Sequence, residues 1–149
     1  MKLTKHFSLD ELTVSQTATR KGIDNNPTSE HLDNLKLTAK NMEVVRELVG
    51  NQPVHISSGY RNKVVNMLVG GSGTSSHTTG YAIDFVCSGF GTPYEICKLL
   101  QESNIKYDQL IHEFGRWVHI SFDPKNRQQD LTASRVAGRV TYNKGINNV

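Results

Sequence analysis

The sequence predicts an α+β fold, a small antiparallel sheet with helices on one face. Three observations carry that expectation. Leu32, Leu35, Ala39, Met42, Val45 and Val49 recur at three- and four-residue spacing, which is the apolar stripe of one long amphipathic helix. Short runs at 53–57, 81–86 and 117–122 alternate bulky apolar residues with small or polar ones, the pattern of half-buried strands. Two strand-like runs, "YDQLIHE" and "WVHISF", are separated only by a tight connection at Phe114–Arg116, so they pair antiparallel. A chain of 149 residues suits one domain, 1–149, built on a single core.

Each element has its own local cause. In "FSLDEL" Ser8 can cap a helix, Glu11 caps back, and Phe7 and Leu12 form the flanking staple. The polar stretch "TATRKGIDNNPTS" interrupts it, and helical signals resume near Pro27 and Thr28 to run as far as Gly50. "PVHIS" is a short strand with Val54 and Ile56 on one face and His55 on the other. "YRNKVVNML" reads as a further helix, followed by the loop "GGSGTSS" and a strand at 81–86. "TPYEICKLLQES" is a helix that Thr92 caps, with Pro93 at its first position and Glu95 completing the capping box. From about 124 to 149 the chain turns polar and basic, with Lys125, Arg127, Arg135, Arg139 and Lys144 against Asp130 alone. This segment reads as a peripheral arm with one edge strand at "RVTYN".

Composition excludes several classes of function. The formal charge of +3 favours an acidic partner such as an anionic cell-wall polymer, but it is too weak to argue for nucleic acid. No stretch approaches the roughly 20 apolar residues of a membrane span. "MKLTKHFSLDEL" lacks the apolar core of a signal peptide, so the expected product is soluble, cytosolic and monomeric, and any action outside the cell needs a separate release step. Cys87 and Cys97 form no Cys-x-x-Cys pair and read as small buried hydrophobes in a reducing compartment.

The chemistry lies in strand parity. In "YAIDFV" Tyr81, Ile83 and Phe85 face the core, so Ala82 and Asp84 face the helix-free side. Asp84 then has only a methyl group as its neighbour, which leaves room for an ion. His77 lies just before this strand, and Gly80 permits the tight backbone path between them. In "WVHISF" Val118, Ile120 and Phe122 are the apolar set, while Trp117, His119 and Ser121 share the opposite face. Imidazole and carboxylate both suit zinc, and three protein ligands leave a fourth position for water, as in a catalytic site. A lone histidine in a strand is more often a satisfied or exposed side chain, and His6, His31, His55 and His112 are read that way. What raises His77, Asp84 and His119 is that two strands each point a polar residue out of an apolar alternation.

"SSGYR", "SSHTTGYAIDF" and "WVHIS" together resemble the zinc D-alanyl-D-alanine carboxypeptidase family, peptidoglycan peptidases related to lysostaphin and the hedgehog zinc domain. The family pattern Ser-x-His-x-x-Gly-x-Ala-x-Asp, with a distant Trp-x-His, is met at Ser75, His77, Gly80, Ala82, Asp84, Trp117 and His119. The likeness extends over about residues 6 to 123 and is greatest to the phage and bacterial branch. It implies one zinc ion on His77, Asp84 and His119, in a cleft on the helix-free face. It also implies that Arg61 holds a carboxylate or carbonyl of a peptidoglycan stem peptide, a task suited to a guanidinium fork. The setting implied is a phage lysis enzyme that reaches the cell wall after release by a partner such as a holin.

Hydrolysis needs a base. Several relatives carry an acid three positions before the last histidine, where this chain has Arg116. The nearest acid is Glu113. A three-residue turn at Phe114–Arg116 pairs Glu113 with Trp117 and sets it beside His119, whereas a two-residue turn brings His112 opposite His119 instead. A glutamate pointing into the apolar set is costly, which favours Glu113 as base with His112 as the fallback. Two functions follow: a zinc peptidase cleaving stem peptides, as a carboxypeptidase or an endolysin-type endopeptidase, or a zinc-bearing cell-wall-binding or virion-structural module without catalysis.

Overall fold

A computed structural model describes residues 1–149. The elements in chain order are α1 (Leu9–Thr13), α2 (Gln16–Lys21), α3 (Ser29–Leu48), β1 (His55–Ser58), α4 (Lys63–Leu68), a 3-10 turn at Ser76–Thr79, β2 (Ala82–Val86), α5 (Pro93–Glu102), β3 (Gln109–Glu113), β4 (Trp117–Ser121), β5 (Gln129–Val136) and β6 (Arg139–Lys144). The α+β expectation holds. The capping boxes at Ser8/Glu11 and Thr92/Glu95 are both formed, with Pro93 in the first turn of α5. Thr28 caps α3. The helix expected from Tyr60 is shorter, because Asn62 caps it and leaves Arg61 in the preceding loop.

The six strands form one sheet in the order β1-β2-β4-β3-β5-β6. All pairings are antiparallel except β3 with β5, which run parallel. The sheet is therefore mixed rather than wholly antiparallel. Residues 124–149, expected to give one edge strand, give two: β6 is the edge, and β5 lies inside it with Thr132 and Ala133 buried. "QDLTASRV" has no regular apolar alternation, so β5 carries no strand signal of its own. Its place comes from main-chain pairing with β3.

Helices cover one face. Leu35, Ala39, Met42 and Val45 of α3 and Ile96, Cys97 and Leu100 of α5 join Ile83, Phe85, Leu110, Val118 and Ile120 of the sheet in a cluster of 23 buried residues. Both cysteines are free and lie within it. No helix is long and apolar enough to cross a membrane.

Candidate metal centre

The uncovered face of the sheet gathers His77, Asp84 and His119. Asp84 on β2 pairs directly with His119 on β4, and the row beside them is Ala82 against Ser121. Both of these neighbours are small, and both are fully buried. His77 arrives from the 3-10 turn, which Ser75 caps and Gly80 ends at φ +88°. A Cβ on Gly80 would also stand 2.9 Å from the His31 carbonyl, so this position needs glycine twice over.

One candidate ligand atom from each residue lies within 4.8 Å of the others, and all three residues are buried. His77 Nε2 stands 3.2 Å, and His119 Nδ1 2.9 Å, from Asp84 Oδ1. Two atoms held at about 2.1 Å from a tetrahedral zinc lie roughly 3.4 Å apart, so a small relaxation admits the ion. The other nitrogen of His77, Nδ1, donates to the Gly59 carbonyl at 2.7 Å, which directs Nε2 and its lone pair at the cluster. The donor set therefore fits zinc.

Sequence reading missed the support from Gly59. Its close packing on Leu12, where a Cβ would come within 2.4 Å of the carbonyl oxygen, sets the backbone that holds His77. Arg61 N–H donates to the His77 carbonyl at 3.0 Å, tying the same loop to the turn. Arg61 is half-buried, and its Nε is screened from solvent without an acceptor. Burial lowers its pKa, while the charges of Asp84 and Glu113 oppose that shift.

The β3–β4 register decides between the two turns. Glu113 pairs with Trp117, so Phe114, Gly115 and Arg116 form the three-residue turn. Phe114 and Gly115 both take positive φ and the Arg116 N–H donates to the Glu113 carbonyl at 2.9 Å, so a type I′-like turn sits inside the connection. Glu113 Oε1 stands 3.7 Å from His119 Nδ1. His112 pairs with Val118 on the helix side, where it meets the Tyr94 ring and its Nδ1 donates to the Asn147 carbonyl. The fallback base is therefore turned away from the cluster. Arg116 is exposed on the turn. The remaining histidines are occupied or open: His6 meets Glu43, His31 meets the Tyr60 hydroxyl and His55 is exposed.

Electrostatics divide the carboxylates. Burial opposes the charge on Asp84, yet His77 and His119 beside it hold its carboxyl well below the usual range. Burial pushes Glu113 up to about 7, with Asp84 adding to the shift and His119 and Arg61 opposing it. Burial lowers the His77 pKa; burial also opposes charge on His119, but its shorter hydrogen bond to Asp84 raises it overall. Asp84 therefore stays ionised between its two histidines, while Glu113 holds its proton more tightly than a free glutamate.

A sheet that presents two imidazoles and a carboxylate, with a glutamate alongside, has a donor set able to hold a metal ion. The chain belongs to the Peptidase M15 family, whose model matches residues 5–121. Its members are metallopeptidases, and the match bears out the resemblance drawn from the motifs. No curated protein matches the chain.

Proposed function

We propose that this chain is a zinc peptidase that hydrolyses peptidoglycan stem peptides. The observation that supports it most is the placing of the Glu113 carboxylate 3.7 Å from His119, beside three side chains whose ligand atoms lie within 4.8 Å of one another. When bound, the ion supplies Lewis acidity and makes a water acidic enough to lose a proton near neutral pH. His77, Asp84 and His119 hold it. Glu113 takes the proton of the attacking water and returns it to the leaving amine as the carbon–nitrogen bond breaks. Arg61 grips a substrate carboxylate or carbonyl, and its buried Nε finds no partner within the protein.

The test is incubation of zinc-loaded protein with muropeptides, with released D-alanine and new amino termini quantified beside Glu113→Gln. Glu113→Gln is expected to lower kcat by about 100-fold or more with zinc content unchanged. Cleavage unaffected by that change rejects Glu113 as base. Zinc binding without cleavage by either protein assigns the chain to a binding or structural module.

A further inference from the structure

At the turn end of the sheet lies a cleft of about 370 Å³ lined by Phe114, Arg116, Trp117, Ser134, Arg135 and Val149. Trp117 links the two places. It pairs with Glu113 across the strands and shares the face of His119, two residues along β4. Arg135 comes from β5, beyond the residues that the family model matches. Its guanidinium lies 4.9 Å over the Phe114 ring, and Phe114 in turn meets Trp117 edge-on with centroids 5.6 Å apart. This stack orders one guanidinium at the wall while leaving its hydrogen-bond donors free.

The charged side chains that line the cleft are both basic. Arg116 and Arg135 are exposed, and neither has a carboxylate within ion-pair distance. Only two acids follow Phe114, and one of them, Asp130, accepts from Tyr107 and Gln101 elsewhere. Two guanidinium forks above an aromatic floor suit a planar anion attached to an apolar chain.

We propose that this cleft is a second anion subsite, which binds a free carboxylate of the substrate peptide at a distance from the bond being cleaved. This rests on the peptidase reading and narrows it: the preferred substrate carries one carboxylate or carbonyl for Arg61 and another carboxylate for Arg116 and Arg135. The wall that reads the second carboxylate belongs partly to the C-terminal hairpin, which gives the basic segment a task in substrate choice.

Trp117 is the only tryptophan of the chain, so its fluorescence reports directly on the cleft. The probes are the stem peptide L-Ala-γ-D-Glu-L-Lys-D-Ala-D-Ala and its γ-D-isoglutamine counterpart, which lacks one free carboxylate. Zinc-loaded protein is expected to bind the acid form about tenfold or more tightly than the amide. Arg116→Gln with Arg135→Gln should erase that preference while zinc content and the circular dichroism spectrum stay unchanged. Equal affinity for the two peptides, a preference that survives in the double variant, or no fluorescence response to either overturns the subsite. Product analysis on the same samples separates the two ideas. Preference without cleavage defeats the peptidase reading alone, and cleavage without preference defeats the subsite alone.

Discussion

Glu113 carries opposite demands. Its carboxylate is mostly buried and no hydrogen bond reaches it, so it is an unstable charge wherever the metal is absent. Burial pushes the folded carboxyl up to about 7, above the ordinary glutamate value of 4.5, so the folded state holds its proton more tightly than the unfolded one. Stability of metal-free protein therefore falls as pH rises from about 4.5 through 7, and the penalty is complete above that range. Glu113→Gln should stabilise metal-free protein by about 1–3 kcal/mol at pH 8 and by little at pH 4. Chemical denaturation at the two pH values reads this difference, and a variant no more stable at pH 8 contradicts it. Gly59 is the opposite case, a residue with no chemistry of its own. Gly59→Ala forces its Cβ into the Leu12 carbonyl and moves the acceptor of His77, so thermal stability and zinc affinity should fall together. An alanine variant that loses stability yet keeps wild-type zinc affinity would show that His77 is held by other contacts.

Among the elements, the path from β4 to β5 depends on one ion pair. Asp108, at the entrance to β3, is buried and accepts from Arg127 Nε and Nη2, both at 2.8 Å, and from its backbone N–H. These bonds pin residues 122–128 where the chain crosses to lie parallel with β3. The Arg127 hydrogen bond is the leading cause holding the Asp108 carboxyl below its usual range. A lowered carboxyl stabilises the fold above its unfolded pKa, near 3.8, and the benefit is lost as pH falls through the folded value. Arg127 is half-exposed, so screening limits the gain. Asp108→Asn should cost about 1–2 kcal/mol at pH 7 and progressively less below pH 4, measured by urea unfolding. A gap that does not narrow in acid would mean that packing, not charge, is lost. This brace explains what the sequence could and could not disclose. Helix caps and the alternation in β2 and β4 are local, so the ligand-bearing strands and the face they share were legible. The β5 pairing depends on Asp108 and Arg127, 19 positions apart, with no periodic pattern to announce it. The Glu113–Trp117 pairing was legible only as one of two turns, because desolvation cost favours a register without fixing it.

In the whole molecule, the metal centre and the core lie on opposite faces of one sheet. The 23-residue cluster packs against the helices, whereas the three ligands come from the 3-10 turn, β2 and β4 on the uncovered side. An ion held there would close no core, and the protein should fold without one, unlike small domains whose structure depends on a metal. Asp84 already draws in both imidazoles, so the metal-free site keeps its ligands close together. Binding to a site that exists only in the folded state still adds stability, about 2.7 kcal/mol at a hundredfold excess of zinc over Kd. For a chain of this size each kcal/mol moves Tm by about 2–4 °C, giving an expected rise of roughly 5–10 °C. Calorimetry with zinc, with chelator, and with Asp84→Ala measures it. The chelated protein should show native circular dichroism and a cooperative transition, and Asp84→Ala should lose the zinc-dependent rise while remaining folded. A chelated protein without a cooperative transition would place the ion among the determinants of folding. Identical transitions with and without zinc would mean that the three side chains do not act as one site, and the charge relation between Asp84 and its two histidines would then be structural alone.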